Sequence, residues 1–514
     1  MTTNRSKQPP GIVYLVGAGP GDPGLITLRA VECLGRADVV IYDYLVNPVL
    51  IKHAAAAAEL VCLGRPTTGR TLSQVEVNQR MLEAAQNGKV VVRLKGGDPS
   101  VFGRGADETG ALREAGIPFE IVPGITAGLA VGAYCEIPIT HHEDASAIAL
   151  ITGRERDEKE ESAIDHEALA RFPGTLVFYM GVDKVTQWSQ GLIGNGKPPE
   201  TPVAVVRWCT RARQQEIRCT LGTVAETVRD HALRPPALFV VGKAVDRAPL
   251  RSWFAQRPLF GQRILVPASQ TTSERLYDRL AGLGADAITQ PAIRIGEPGD
   301  WAPVDDALDK LDQYDWLVFS SGNGVDYLLR RIEDLGGDVR WLGRIKLAAM
   351  GSGTAERLAR YHLKADLIPA QFVAESLAST LVGDAAGKRF LLARASRGRE
   401  VLAMELRQAG AHVDQIAVYD SVDVEEPDPD VAAQLAAGEI HWITVTSSAI
   451  ARSLVNLYGD DLGSARIASI GPVTSSALRD LGHAPSVEAT PQSIEGLVEA
   501  ILRWTTDERL TIRG

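Results

Sequence analysis

Cysteine is scarce in this chain and badly spaced for crosslinking. The five cysteines, Cys33, Cys62, Cys135, Cys209 and Cys219, all lie in the first half, and none forms a C-x-x-C pair. That argues against a disulfide framework and a thiolate zinc site and predicts buried or free thiols in a reducing compartment, with no bound metal. Long apolar runs are missing as well: no stretch approaches the roughly 18 residues that a membrane span needs. The opening MTTNRSKQPP has no apolar core, so no secretory signal is expected there. Positive charge is not in excess, because 54 Lys and Arg face 64 Asp and Glu for a formal net charge of −10. Nucleic acid and anionic membrane both demand a basic face, so neither is expected as a partner, while a local basic pocket for a small anion stays compatible. These absences predict a cytoplasmic protein that handles small molecules.

What is present is an ordinary globular mixture, 45% hydrophobic and 23% charged, spread over 514 residues. That length is too great for one core, so at least two domains are expected. Short β-branched runs such as VVIYDYLV, LVFYMG, RILVPAS and WLVFSS alternate with amphipathic stretches. The alternation predicts an α/β fold with largely parallel sheets. A break falls at DRAPLRSWFAQRPLFGQ, residues 246–262, where prolines and an aromatic pair interrupt the pattern. The second half also repeats itself. Trp316 and Trp442 open matching blocks 126 residues apart, as do Arg263 and Arg389, and Gly351 and Gly471 stand 120 apart. Two similar α/β lobes with a cleft between them follow, since such folds bind ligands at strand carboxyl ends.

The stretch YLVGAGPGDPGLITL, from Tyr14, reads as a strand entering a glycine-rich turn. A dinucleotide fingerprint requires G-x-G-x-x-G. Gly17 and Gly19 fit it, but Asp22 stands at the third position, and Gly21 and Gly24 are out of register. A phosphate loop is excluded because G-K-[ST] is missing. Asp43, after the next strand, is either a ribose-hydroxyl acceptor, as in a nicotinamide-dependent oxidoreductase, or a cap or turn aspartate.

Two further stretches decide between these. VVVRLKGGDPSVFGRGADE runs from Val90 to Glu108, and VPGITAGLAVGAYCEIPITH starts at Val122. With the first turn and with ADVVIYDYLV, TLVFYMG, TPVAVV and PALFVVGKAV in the same order, residues 11–250 resemble uroporphyrinogen-III C-methyltransferase of the tetrapyrrole methylase family. The resemblance implies two lobes, about 11–125 and 126–250, with S-adenosyl-L-methionine in the cleft between them. It places that cofactor against Pro20, Gly96, Gly97, Asp98, Val101, Thr126, Ala127, Met180 and Cys209. On this reading the glycines serve close backbone approach rather than anion binding. Without the family, Met180 reads equally as core packing and Arg93 as a surface charge. The resemblance further implies Asp43 as the base and assembly as a homodimer through this half. The substrate carries eight carboxylates, which favours nearby cations; Arg104 is preferred over Arg93 and Lys95. Four positions depart from the pattern. Arg65 replaces a lysine given a proton-donor role, so only its charge carries over. Ser100 stands where an aromatic is usual, and His142 where arginine is common. Cys209 replaces a glycine and is expected to narrow the cofactor pocket.

Residues 261–505 resemble uroporphyrinogen-III synthase through DWLVFSSGNGV, AAMGSGTAERL, LLARASRGREVLAMELRQAGA, ITVTSSAI and IASIGPVTSSAL taken together. The resemblance implies one lobe from about 261–292 plus 422–505 and the other from 296–417, with 251–260 as linker between the halves. The turns SSGN, GSGT, TSS and GPVTSS each end a strand and open a helix. Ser321, Thr354, Ser447 and Thr474 are therefore either carboxylate-binding residues or helix caps. Tyr419 matches a family tyrosine that assists loss of a hydroxyl; otherwise it is a buried tyrosine at the waist.

Together the resemblances imply a bifunctional enzyme that closes hydroxymethylbilane to uroporphyrinogen III and methylates that product twice, to precorrin-2. Sirohaem and cobalamin both remain open as destinations. No dehydrogenase–chelatase segment is recognised, so the chain is expected to stop at precorrin-2. The competing readings are a working synthase with a non-catalytic methylase-like half, and a methylase for a later corrinoid.

Overall fold

The computed structural model describes residues 10–64, 72–155, 163–267, 270–370 and 374–513. It is a mixed α/β protein, with four five-stranded sheets among the described residues. The chain divides into two compact units, one of residues 1–264, 278–288 and 505–514, the other of 265–277 and 289–504.

In the first unit, β1 (Val13–Gly17), β2 (Val39–Tyr42), β3 (Glu59–Cys62), β4 (Val91–Lys95) and β5 (Phe119–Val122) form a sheet in the order β3-β2-β4-β1-β5. All its pairings are parallel. Helices cross between most of the strands, and their starts are written locally. Thr27 caps Leu28–Gly35, and Ser73 with Glu76 makes a reciprocal capping box on Gln74–Gln86. The inner strands carry continuous β-branched and aliphatic runs because both faces are covered.

The second sheet of this unit holds β6 (Ile148–Thr152), β7 (Thr175–Tyr179), β8 (Pro202–Arg207), β9 (Gln215–Thr220) and β10 (Ala237–Val241), ordered β6-β7-β10-β8-β9. Only β6 and β7 pair in parallel; the other three pairings are antiparallel. The expectation of largely parallel sheets holds for the other pairings apart from β13 (Ile293–Gly296) with β17 (His412–Asp423), and this sheet is where it does not. Residues 208–214 turn directly from β8 to β9 without a helix, and a connection that short joins only antiparallel neighbours.

Later strands build two further sheets. β11 (Arg263–Val266) and β12 (Asp286–Thr289) come first in the chain. Next, β13 (Ile293–Gly296), β14 (Trp316–Phe319), β15 (Lys346–Ala349), β16 (Arg389–Ala395) and β17 (His412–Asp423) make one sheet, ordered β13-β17-β16-β14-β15. Finally β18 (Trp442–Val445), β19 (Arg466–Ser469) and β20 (Val487–Glu488) join the earlier pair as β12-β11-β18-β19-β20. The sequence repeat is visible in this arrangement. The paired blocks beginning at Arg263 and Trp442 are neighbouring strands in one sheet, and those beginning at Arg389 and Trp316 are neighbours in the other.

Three backbone segments meet at the carboxyl edge of the first sheet. A side chain at Gly17 would lie 2.6 Å from the Gly124 Cα and 2.7 Å from the Gly97 carbonyl oxygen, and one at Gly124 would overlap that same oxygen. Gly124→Ala should therefore destabilise the first unit by about 1–3 kcal/mol and lower its urea midpoint. Urea denaturation followed by near-ultraviolet circular dichroism measures it.

Candidate functional site

Parallel strands put all their carboxyl ends on one edge, so the loops after β1, β2, β4 and β5 are brought together without further instruction. Gly19 and Gly97 exchange backbone hydrogen bonds, the Gly97 amide to Gly19 at 2.8 Å and the Gly19 amide to Gly97 at 3.2 Å. Gly97 has φ +70, a conformation that a side chain would strain. Asp98 joins two loops: its Oδ2 accepts from the Gly124 amide at 2.9 Å and its Oδ1 from the Ser100 amide at 2.7 Å. A side chain at Gly96 would come within 3.5 Å of Leu45 Cβ, in the turn that follows Asp43.

The second lobe of this unit closes on these loops through polar contacts that sequence reasoning missed. The Tyr179 hydroxyl accepts from the Gly128 amide at 2.7 Å and shares a hydrogen with Thr126 Oγ1 at 2.8 Å. Thr126 precedes the helix Ala127–Tyr134 without capping it, because its hydroxyl is committed to Tyr179. Burial pushes the Tyr179 phenol above its ordinary value, which keeps it a neutral partner. Asp22, the residue that breaks the dinucleotide fingerprint, caps the short turn Pro23–Leu25 and accepts from the Tyr134 hydroxyl at 2.7 Å. Its amide donates to Thr210 Oγ1 at 3.0 Å, tying the turn that carries Pro20 to the turn that carries Cys209.

Several site residues sit in the left-handed region although they are not glycine: Phe102, Arg104, Met180, Trp208 and Thr210. Such conformations cost on the order of 1–3 kcal/mol each and gather where surrounding contacts over-determine them. Met180 is 49% exposed, so it is not core packing. The Phe102 ring lies 5.0 Å from that of Tyr179, which puts the loop of Val101 beside β7. Arg104 is exposed at the start of the helix Gly105–Glu114.

Two expectations change. The Cys209 thiol is buried in an apolar cluster with Tyr134 and Cys135, so it fills core and does not narrow the cleft. Arg93 and Lys95 are not surface cations open to a substrate: each is only 3% exposed and is paired with Glu108, which has no exposed surface. Asp43 makes no helix cap with its side chain; its Oδ1 accepts from Arg93 Nη2 at 2.6 Å, and it stays partly open to solvent. Arg65 lies outside the described residues.

A second cleft, about 450 Å³ in volume, lies between the two sheets of the second unit. Residues following β14, β16, β18 and β19 line it, again at strand carboxyl ends. Ser321 and Ser447 both line the cleft and cap helices, accepting from the Gly324 and Ile450 amides at 3.2 Å. Ser321 Oγ also lies 2.9 Å from the Tyr419 hydroxyl. Tyr419 is buried in the cleft wall within β17, and burial raises its phenol above the ordinary value, so it stays protonated. Thr474 lines the cleft, whereas its counterpart Thr354 does not: it is buried in the lobe on the helix Ser352–Arg360.

Sequence reasoning also missed three cations on this cleft, Arg394, Arg397 and Arg399. Each is latched to an acid: Arg394 to Glu400 at 2.5 Å, Arg397 to Asp423 at 2.7 Å, and Arg399 to Glu375. A signal was available, because the corresponding positions of the first repeat copy are Ala268, Thr271 and Ser273. Among the described residues, one trio of potential metal ligands comes together, His141, His142 and Glu143, with Glu143 ion-paired to Arg247 at 2.5 Å. No helix among the described residues is long and apolar enough to cross a membrane.

Comparison with known proteins follows the same division. Residues 12–225 match the family model "Tetrapyrrole (Corrin/Porphyrin) Methylases", and residues 274–499 match "Uroporphyrinogen-III synthase HemD". "Porphyrin biosynthesis protein HemD" of Ruminiclostridium josui is 34% identical over 496 residues, covering 96% of this chain and 98% of that one. "S-adenosyl-L-methionine-dependent uroporphyrinogen III methyltransferase" of Methanosarcina barkeri is 45% identical over 235 residues, 46% of this chain and 92% of that one. A crystal structure of uroporphyrin-III C-methyltransferase from Thermus thermophilus with S-adenosylhomocysteine is 38% identical, covers 46% of this chain and all of that one, and superposes with a TM-score of 0.40.

The arginine latches carry a pH prediction. Arg397, and secondarily Ser453, hold the Asp423 carboxyl below its usual range. A depressed acid contributes stability above its unfolded value and loses it as pH falls through the folded one. The Arg397–Asp423 pair should thus persist at pH 4 and open only in stronger acid, as a carboxyl-carbon NMR titration of Asp423 would record.

Proposed function

The chain belongs to the tetrapyrrole methylases through its first half and to the uroporphyrinogen-III synthases through its second, a fusion that serves tetrapyrrole biosynthesis, and on that premise we propose that it carries out two consecutive reactions. The second unit cyclises hydroxymethylbilane to uroporphyrinogen III. The first transfers two methyl groups from S-adenosyl-L-methionine to that product, giving precorrin-2 on the sirohaem and cobalamin branch. The observation that carries this reading is the match of both family models, in one order, with a relative that is alike along nearly its whole length. The name of the Methanosarcina relative supports the choice of methyl donor.

In the first unit, Pro20, the Gly96–Asp98 turn and Val101 of one lobe and Thr126, Ala127, Met180 and the Cys209 backbone of the other would hold S-adenosyl-L-methionine. When bound it would supply an electrophilic methyl on a sulfonium. A pyrrole carbon that takes up this methyl leaves its ring cationic. Asp43 then accepts the proton whose loss restores neutrality. Arg104, exposed at the loop, holds substrate carboxylate, and Arg65 adds charge. The remaining work is alignment and exclusion of water.

In the second cleft, Tyr419 donates to the hydroxyl that leaves the linear substrate, and Ser321 orients the phenol. Ser447, Thr474 and the three arginines hold the carboxylates. Each arginine already rests on an acid, so binding exchanges one carboxylate for another instead of desolvating a bare cation.

The test incubates the purified chain anaerobically with hydroxymethylbilane and methyl-labelled S-adenosyl-L-methionine and follows product mass and absorbance. A dimethylated product is expected. Unmethylated type-III uroporphyrinogen alone would favour a non-catalytic first half, and the type-I isomer alone would remove the synthase assignment. Single variants should separate the halves. Asp43→Asn should slow methyl transfer by about 10²–10⁴-fold and leave cyclisation intact. Tyr419→Phe should slow cyclisation while supplied uroporphyrinogen III is still methylated.

A further inference from the structure

We infer that Glu108 is a positioning residue for methyl transfer, acting through Arg93 on Asp43; this rests on the reading of Asp43 as proton acceptor. Glu108 has no exposed surface and lies on the helix Gly105–Glu114. Its Oε1 accepts from Arg93 Nε at 3.0 Å and from Lys95 Nζ at 2.8 Å, and the lysine is also 2.8 Å from Oε2. Gln74 Nε2 completes the surroundings at 3.4 Å. Arg93 Nη1 donates to the Leu94 carbonyl at 3.0 Å, and Nη2 donates to Asp43 Oδ1 at 2.6 Å. The guanidinium is thereby held on three sides, and one nitrogen is left to grip a single oxygen of Asp43.

The ledger of charge is even, with two cations against two carboxylates. Three of the four groups are almost wholly buried, and the fourth, Asp43, is the one that opens to solvent. A buried ion network is a poor source of stability, because desolvation offsets its Coulombic gain. What it supplies is geometry: a rigid planar fork fixed at one end presents the carboxylate at the other. Without Glu108 the guanidinium Nε loses its acceptor, Lys95 repels Arg93 from the same face of β4, and the fork is free to turn onto both oxygens of Asp43. A base with both oxygens engaged is a poorer proton acceptor.

The test measures methyl transfer to supplied uroporphyrinogen III by the full-length chain. Binding of S-adenosyl-L-methionine is measured by calorimetry, and cyclisation by the second unit of the same molecules serves as an integrity control. The variant Lys95→Met with Glu108→Gln removes one charge of each sign and leaves the interior neutral. Its kcat should fall by about 10–100-fold, the scale of a small misalignment at a reacting group. Its KM values and cofactor affinity should stay within about threefold, a spread too small to be the lost alignment. Glu108→Asp keeps the charge but withdraws the carboxylate by one methylene, and the same fall in kcat is expected; it decides the matter if the double variant does not fold. An unchanged kcat in either folded variant overturns the inference, as does a loss that tracks cofactor affinity. Asp43→Asn separates the two levels. If it transfers methyl at the parent rate, the reading of Asp43 fails; if it is slow while the Glu108 variants are not, only the present inference falls.

Discussion

Parallel strands cannot be joined by tight turns, and the crossovers they require leave every carboxyl end on the same edge of the sheet. That constraint governs both halves of this protein. In the first unit it brings the loops after β1, β4 and β5 so close that Gly17, Gly97 and Gly124 touch backbone to backbone. Asp98, bonded to two of those loops, holds them together. In the second unit it lines one cleft with the turns after β14, β16, β18 and β19. The chemistry in each case is carried by short segments that the sheet presents and does not itself determine.

The two clefts meet their polar ligands by opposite electrostatic arrangements. The first buries two cations and one carboxylate beneath a second carboxylate that stays open, so Asp43 is gripped by groups that are themselves buried. The second keeps its cations at the surface of the cavity, each resting on an acid. On the proposed function, a carboxylate fixed in this way serves as a proton acceptor, where a small displacement costs much of the rate. On the same proposal, exchangeable ion pairs serve a flexible polycarboxylate, whose groups are gripped in several places.

Strain follows the same division of labour. Met180, Trp208, Thr210, Phe102 and Arg104 are left-handed, and Tyr179 and Asp22 anchor neighbouring turns through bonds to groups distant in the chain. The repeat in the second half shows how function departs from duplication. Both copies keep the strand that begins at Arg263 or Arg389, but only the later copy has arginine at 394, 397 and 399, where the earlier has Ala268, Thr271 and Ser273.

The sequence by itself determined the two α/β halves, the repeat, and the turns that carry Gly97, Asp98, Thr126, Ser321 and Ser447, because strand period, glycine turns and cap residues act over a few positions. It determined the family too, since motif order along the chain needs no coordinates. Tertiary structure alone decided which polar groups stay open. Arg93 and Lys95 look like surface cations in VVVRLK until a helix thirteen residues further on supplies Glu108. Cys209 looks like an obstruction until the cluster around Tyr134 takes its thiol inward. Thr354 and Thr474 occupy corresponding places in the repeat and are both buried, yet only Thr474 lies on the cleft wall. Burial and pairing depend on partners distant in the chain, and no local pattern encodes those partners.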